Sequence, residues 1–413
     1  MRFLRGIVLV LVSASLCGES VDNRFLVPLL DHKPLLLDDE RCPFVKVQPW
    51  MVFSSRAIDC YGEAVGLFDY EQPSYTLREI DKSLIATGRT TESLFRTDWR
   101  GALSSGPYLM SGDMVARGVA FEVGVPILSC FRLGARGSLM GVRSNMRLFK
   151  GQDFDPVVMG PGDDYELRLL QERIHSVLGI ESALWDRVGC SDIEIFGRLF
   201  KQQEYAYRCR YVDVGLSLGF VLPSGVKRDI DNPASIPFGG DGHTGIFLEG
   251  TLDAILRYDL RAGFLFRFQQ RFPATMTRRV SYNLEPERFG AIVGPFEVRP
   301  GPTLAFAPYV AVENLREGFG AYVGYSLVKH FRDRWADCRA DPSGCFADAA
   351  MRAASVWASE HLFCTVFYDF REGKHGLPCA PVLALSVDVP LDWVIARQSF
   401  KSYGVSLILE AYF

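Results

Sequence analysis

The chain has 413 residues and a formal net charge of −4, with 23% charged, 48% hydrophobic and 13% aromatic residues. A charge this close to zero gives no electrostatic attraction to nucleic acid, so no nucleic-acid partner is expected. Many aromatic residues together with 38 glycines fit a β-barrel, where only alternate residues of a strand are apolar, and they also fit a large soluble β-protein.

The first 17 residues have the three parts of a secretory signal peptide. Met1–Arg5 carries two positive charges, 6–16 is an apolar run, and Ser15 and Cys17 are small residues at positions −3 and −1 of a cleavage site. The run is too short to cross roughly 30 Å of hydrocarbon as a helix. Cleavage as a lipoprotein before Cys17 is disfavoured by the bulky Leu16. The sequence therefore predicts export, with residues 1–17 cleaved as a signal peptide.

Ten cysteines are present, and nine remain after residue 17. In an exported chain, disulfides persist. Cys338 and Cys345 bracket a short polar segment, which predicts a disulfide, and Cys42 with Cys60 is a weaker candidate pair. Because nine is odd, at least one thiol stays unpaired. No Cys/His spacing indicates zinc, and no metal or cofactor is predicted.

The segment after the signal peptide is mixed in composition and contains prolines. We interpret residues 18–104 as a periplasmic lead-in or as a plug threaded into a barrel. This segment also has two places where a first strand fits, 45–58 and 93–104.

From residue 105 to 413 the dominant pattern is alternation with period two, which indicates strands with one apolar face. Leu260, Phe264 and Phe266, for example, share a face opposite Arg261 and Arg267. The gaps between predicted strands alternate between short and long, as in outer-membrane barrels. Bacterial barrels have even strand numbers, so eleven predicted strands require one more upstream. The predicted strands are 113–126, 129–149, 191–203, 205–222, 242–257, 259–273, 301–313, 317–332, 357–372, 379–391 and 400–413.

The predicted fold class is therefore all-β, a transmembrane antiparallel up-and-down barrel of about twelve strands, within a range of about 10–14. Residues 163–178 and 346–360 have helical apolar periodicity. Both stretches fall in long gaps, so short helices are expected in outer loops, with an inward-folded plug as the alternative. Both chain termini are expected in the periplasm.

The last strand has an apolar face that ends on a terminal phenylalanine. This ending resembles the C-terminal assembly signal of Gram-negative outer-membrane barrels. The resemblance implies location in the cell outer membrane, recognition by the barrel-assembly machinery, and contact with outer-membrane lipid and lipopolysaccharide. The segment 215–225 resembles a strand and loop of transport barrels for hydrophobic or aromatic compounds. The residues of the assembly signal are Tyr403, Val405, Leu407, Leu409, Ala411 and Phe413.

Charged residues on the polar faces of these strands predict a lumen with both signs of charge. Simple antiparallel register places Glu249 opposite Arg267, and Glu122 opposite Arg136. Such residues form either a constriction that selects permeant solutes or an ion-pair ladder that fills a narrow barrel. The predicted lumen residues are Arg132, Arg136, Glu249, Asp253, Arg261 and Arg267.

Three functions fit this architecture. A porin or passive transporter for small solutes, with hydrophobic ones among the candidates, is the preferred hypothesis, and no catalytic residue is assigned. A structural or adhesive barrel is the alternative, with the segment 150–190 as its natural epitope. A hydrolase is the third hypothesis, in which Ser359 and His361 lie two residues apart on one strand face.

Overall fold

The computed structural model of the chain describes residues 23–27, 42–71, 75–93, 108–150, 164–204, 211–256, 259–340, 346–370 and 381–413. The signal peptide lies outside these ranges, so its cleavage stays a prediction. The strands are β1 (Phe44–Ser54), β2 (Arg56–Ile58), β3 (Ala64–Gly66), β4 (Tyr108–Leu128), β5 (Phe131–Lys150), β6 (Leu184–Cys190), β7 (Ile193–Glu204), β8 (Tyr211–Leu222), β9 (Gly245–Ile255), β10 (Leu260–Arg271), β11 (Ala274–Val280), β12 (Ile292–Arg299), β13 (Thr303–Arg316), β14 (Phe319–His330), β15 (Arg334–Asp337), β16 (Trp357–Asp369), β17 (Val382–Leu391), β18 (Ser399–Phe400) and β19 (Tyr403–Tyr412). The helices are α1 (Leu77–Ala86), α2 (Asp164–Leu178) and α3 (Asp348–Ala354).

Twelve of the described strands close into one antiparallel barrel, in the order β1, β4, β5, β7, β8, β9, β10, β13, β14, β16, β17 and β19. The ring closes at β1, where Phe44 lies opposite both Gly124 of β4 and Tyr412 of β19. The strand β6 continues the position of β7 along β5, with Ser191 and Asp192 between them. The predicted fold and strand number are confirmed. The twelfth strand is β1, at the predicted site 45–58, and most of 93–104 lies outside the described residues.

The two ends of the barrel differ in their connections. At the turn end, short segments such as 129–130 and 317–318 join neighbouring strands, and β19 ends there. At the opposite, loop end, long segments follow β1, β5, β8, β10 and β14. This alternation confirms the pattern predicted from the gaps in the sequence.

Alternate residues of each barrel strand face outward and inward, as the pleat of a strand requires. The outward face is apolar, and aromatic pairs lie at both of its ends. Phe53 and Tyr403 stack with their ring centroids 5.3 Å apart at the loop end, while Tyr368 and Phe370 contact at 4.8 Å at the turn end. Aromatic girdles of this kind border the apolar band of membrane barrels.

Long loops fold into a cap over the loop end. The cap contains the three helices, a sheet of β11, β12 and β15, and a smaller sheet of β2, β3 and β18. Leu167, Leu170 and Ile174 of α2 pack with Met146 and Leu148, on the inward face of β5, in the largest apolar cluster. The helix predicted at 346–360 is shorter, because Trp357 already begins β16. None of the helices in the described ranges is both long and apolar enough to cross a membrane.

Residues 23–27 lie inside the loop end of the barrel. The Asn23 side chain donates a hydrogen bond to the Pro237 carbonyl at 2.9 Å, and the Ser402 hydroxyl donates one to the Phe25 carbonyl at 2.8 Å. Val27 packs against Gly404 on the inward face of β19. These residues are therefore at the end opposite to Phe44, and the choice between a lead-in and a plug for residues 18–104 stays a prediction.

Of the two predicted disulfides, the structure excludes Cys42–Cys60, whereas Cys338–Cys345 stays a prediction. Cys42 and Cys60 are both unpaired, and β1 runs between them from the turn end to the loop end. The eleven residues of β1 span about 35 Å at ~3.3 Å per residue, far beyond disulfide reach. Cys338 is exposed, and Cys345 lies outside the described residues.

Candidate functional site

All six predicted lumen residues lie on inward faces of barrel strands. The structure divides them into three groups along the wall formed by β5, β7, β8, β9 and β10, which we call the charged wall. The first group contains Arg136, Glu249 and Arg267, the second contains Asp253 and Arg261, and the third position is that of Arg132 near the ring of Phe44.

The first group is a four-residue ion cluster that also includes Glu194 of β7. Arg136 Nε lies 2.8 Å from Glu194 Oε2, and its Nη2 lies 2.9 Å from Glu249 Oε2. Arg267 Nη2 lies 2.6 Å from Glu194 Oε1, and its Nη1 lies 3.2 Å from Glu249 Oε2. Each carboxylate therefore bridges both guanidinium groups, and the four formal charges cancel.

This cluster is almost fully removed from solvent. The side chains of Glu194 and Arg267 are 0% and 1% exposed, and the ring of Phe247 lies 4.0 Å from the Arg267 guanidinium carbon. Removing one member of a buried ion network leaves an uncompensated charge and costs about 3–5 kcal/mol. The cluster thus links side chains of β5, β7, β9 and β10 along one side of the lumen. Its two positive and two negative charges are equal in number.

The sequence predicted the register of this cluster but not all its members. Glu249 lies opposite Arg267, and Glu122 lies opposite Arg136. The guanidinium of Arg136 also bonds to Glu194, its direct cross-strand neighbour on β7, which the sequence analysis did not select. A signal was present, because Glu194 alternates with Ile193 and Ile195, but β5 and β7 are joined by a long loop and their register does not follow from a turn.

The second group lies nearer the turn end. Arg261 forms an ion pair with Glu313 Oε1 at 3.2 Å, and the Tyr309 hydroxyl donates a hydrogen bond to Asp253. Neither Tyr309 nor Glu313 was expected from the sequence. Both residues belong to β13, whose pairing with β10 crosses the long 272–302 segment.

Arg132 is separate from both groups. Its guanidinium carbon lies 4.6 Å from the centroid of the Phe44 ring, and the residue is 1% exposed. A cation over an aromatic face is stabilised by the ring quadrupole. Arg132 thus fastens β5 to the closing strand β1.

The opposite side of the lumen, formed by β13, β14, β16 and β17, carries a cluster of inward-facing aromatic side chains, and we call it the aromatic wall. The ring of Tyr322 contacts the rings of Tyr309, Phe363 and Phe367 at centroid distances of 6.2, 6.0 and 6.4 Å. Small residues complete this inward surface, namely Ala305, Ala307, Ala311 and Ala384.

Two glycines allow these rings to lie flat against the neighbouring strand. A Cβ added to Gly320 would collide with the ring of Phe367, and one added to Gly324 would collide with the ring of Phe363. Close approach of a side chain to the backbone is a common reason for glycine within a strand. The two glycines therefore build the aromatic wall and are not turn residues.

The residues of the hydrolase hypothesis are placed inward but do not form a nucleophile–base pair. Ser359 and His361 lie on β16 and are 5% and 1% exposed. Neither ring nitrogen of His361 has a hydrogen-bond partner among the described residues. Over the same residues, no group of three or more His, Cys, Asp or Glu side chains is arranged to hold a metal ion.

No protein-family profile and no curated protein sequence matches the chain. The structure is similar to an outer-membrane channel of the COG4313 group from Pseudomonas putida F1, at 10% identity and a TM-score of 0.50, covering 94% of this chain and 100% of that chain. Weaker likenesses include the toluene transporter TodX from P. putida, at 11% identity, 90% coverage of both chains and a TM-score of 0.32. Another is the transport unit of the autotransporter AIDA-I from Escherichia coli, at 6% identity, 95% coverage of both chains and a TM-score of 0.38. The closed twelve-stranded ring and the first likeness show that the chain has the fold of bacterial outer-membrane β-barrels.

Proposed function

We propose that the chain is an outer-membrane channel for passive movement of small solutes with partly apolar bodies. The turn end faces the periplasm and the loop end faces outward. The observation that supports this proposal most strongly is the division of the lumen into a charged wall, centred on a cluster whose four charges cancel, and an aromatic wall.

This division favours solutes that are not strongly charged. A ring of one sign would select ions of the other sign, whereas a cluster of two arginines and two glutamates imposes no such preference. Aromatic and small apolar side chains offer dispersion contacts to an apolar body. A solute with one polar and one apolar side is complementary to both walls.

We propose that the loop end controls the access of solutes to this lumen. Residues 23–27 and the cap fill that end, with Phe25 packed between Tyr70 and Phe400 at ring distances of 5.9 and 5.0 Å. We infer that residues 23–27 act as a plug, and that movement of this plug opens the path.

The test compares ion conductance and solute uptake in proteoliposomes for wild type and for the double variant Asn23→Ala with Ser402→Ala. Loss of the two hydrogen bonds that hold residues 23–27 is expected to raise conductance several-fold. The control is Thr90→Ala, an exposed loop hydroxyl that lies away from the plug. Absence of both conductance and uptake in wild type and in the double variant contradicts the proposal.

The last strand, β19, is the part of the chain that we propose directs insertion into the outer membrane. The assembly-signal residues Tyr403, Val405, Leu407 and Leu409 lie on the exposed outward face of β19, where a membrane and the assembly machinery are in reach. Outer-membrane lipid and lipopolysaccharide are the partners proposed for this face, after export by the predicted signal peptide.

A structural or adhesive role is the second candidate. It is supported by the cap, which has an apolar cluster of its own around Val280, Ile292, Phe296 and Met351. A folded cap of this kind presents a fixed outer surface, which recognition requires. Two results together would favour this role: loss of cell adhesion when the cap is altered, and no conductance through the purified barrel.

A further inference from the structure

A cavity of about 150 Å³ lies at the loop end, between the cap and the loop-end residues Arg271 of β10, His330 of β14 and Trp357 of β16. Its boundary is formed by residues 23–25, the loop after β8, the sheet of β11, β12 and β15, and the last turn of α3. An apolar cavity of roughly this volume accommodates a benzene-sized molecule. The space is therefore large enough for a small organic ligand.

Two hydrogen-bond donors on residues that line the cavity have no acceptor within the described part of the chain. Arg278 is 8% exposed, its Nη1 pairs with Asp241, and its Nε has no partner. Trp335, on the adjoining β15, has a buried indole Nε1 that also lacks a partner. A buried donor without an acceptor destabilises the protein, so a ligand that supplies acceptor oxygens recovers that free energy.

One arginine of the lining is left to attract an anion. Arg228, Arg271 and Arg278 form ion pairs with Glu287, Asp192 and Asp241, whereas Arg24 donates a hydrogen bond to the Ala354 carbonyl at 2.9 Å and has no carboxylate partner among the described residues. Burial would raise the pKa of Asp241, but the neighbouring Arg278 guanidinium lowers it below its ordinary value, so this carboxylate stays ionised. Burial lowers the pKa of His243, which leaves its ring neutral at pH 7.

The remainder of the lining is apolar and aromatic. Phe25, Tyr70, Met351 and Trp357 are buried, and Val298 closes the side formed by β12. Aromatic rings together with nitrogen donors in one lining suit a carboxylate that carries a small planar body.

We propose that this cavity is a binding site for small organic carboxylates with an aromatic or compact apolar body. Arg278 Nε and Trp335 Nε1 donate to the carboxylate oxygens, and the rings of Phe25 and Trp357 contact the apolar body. The site does not depend on passage through the barrel, because binding takes place at the loop end, between the cap and the barrel strands.

The test is calorimetric titration of the detergent-purified full chain with sodium benzoate, and with neutral benzamide at the same concentrations. Benzoate is expected to bind at least tenfold more tightly than benzamide. Arg278→Lys keeps a charge for Asp241 but removes the Nε donor, and Trp335→Phe removes only the indole donor. Each is expected to weaken benzoate binding at least fivefold.

The matched control is Arg299→Lys, an exposed arginine on β12 of the same sheet, which is expected to leave binding unchanged. Heat-modifiable gel mobility of each variant verifies that the barrel is folded. The proposal is overturned if benzoate gives only its heat of dilution, or if benzoate and benzamide bind equally. It is also overturned if the folded Arg278→Lys and Trp335→Phe variants both bind benzoate as wild type does.

Discussion

The charged wall and the aromatic wall both fill the inside of the barrel and hold its strands together, but they do so through different interactions. On the charged wall, two carboxylates each bridge two guanidinium groups, so the geometry of a few atoms fixes the register of β5, β7, β9 and β10. On the aromatic wall, rings contact over glycines, and no charged group is needed. The comparison shows that the inside of a narrow barrel can be filled by directional ion pairs on one side and by close packing of aromatic rings on the other.

The largest effect is expected from breaking the charged wall. Glu194→Gln removes the carboxylate charge between Arg136 and Arg267, which are both buried, and destabilises the barrel by about 3–5 kcal/mol. Urea unfolding in detergent micelles, followed by tryptophan fluorescence, measures this loss. The control Glu297→Gln removes an exposed partner of Arg299 and is expected to leave the midpoint unchanged. Equal midpoints for Glu194→Gln and wild type would show that the cluster does not stabilise the ring.

A smaller effect is expected from breaking the aromatic wall. Gly324→Ala places a methyl group where the Phe363 ring lies, and overpacking of this kind costs about 1–3 kcal/mol. Gly250→Ala is the matched control, because the nearest atom to its added Cβ is the Gly215 carbonyl oxygen at 4.0 Å. The second change Phe363→Leu is expected to restore part of the loss. A Gly324→Ala variant as stable as Gly250→Ala would mean that the rings are not held by shape.

The two walls also differ in how far the sequence predicted them. Charged residues at alternate positions are conspicuous among apolar ones, so Arg136, Glu249 and Arg267 were identified as lumen residues without a structure. The aromatic wall was missed, because Phe363 and Phe367 on an inward face have the same composition as apolar residues that face lipid. On β16, Phe363 and Phe367 share a face with polar residues. The sequence alone does not show that their rings pack against Tyr322 inside the barrel.

The same reasoning explains which other parts were predictable. Strand number and the alternation of short and long connections follow from local period-two patterns and were confirmed. The position of residues 23–27 inside the loop end depends on contacts with Pro237 and Ser402, more than 200 residues away in sequence. No local pattern encodes a contact of that range, so the sequence left both a lead-in and a plug open for these residues.

The central claim is that the chain is inserted in the outer membrane as this barrel, and β19 offers the most direct test. Cells that express wild type, Phe413→Asp or the control Trp393→Asp, a change at an exposed loop-end aromatic residue, are fractionated and examined for heat-modifiable gel mobility. We predict that wild type and the control are heat-modifiable in the outer-membrane fraction, and that Phe413→Asp is lost to the periplasm. Soluble, unmodifiable protein in all three cases would contradict the account, because the outward face would then not be a lipid-facing surface.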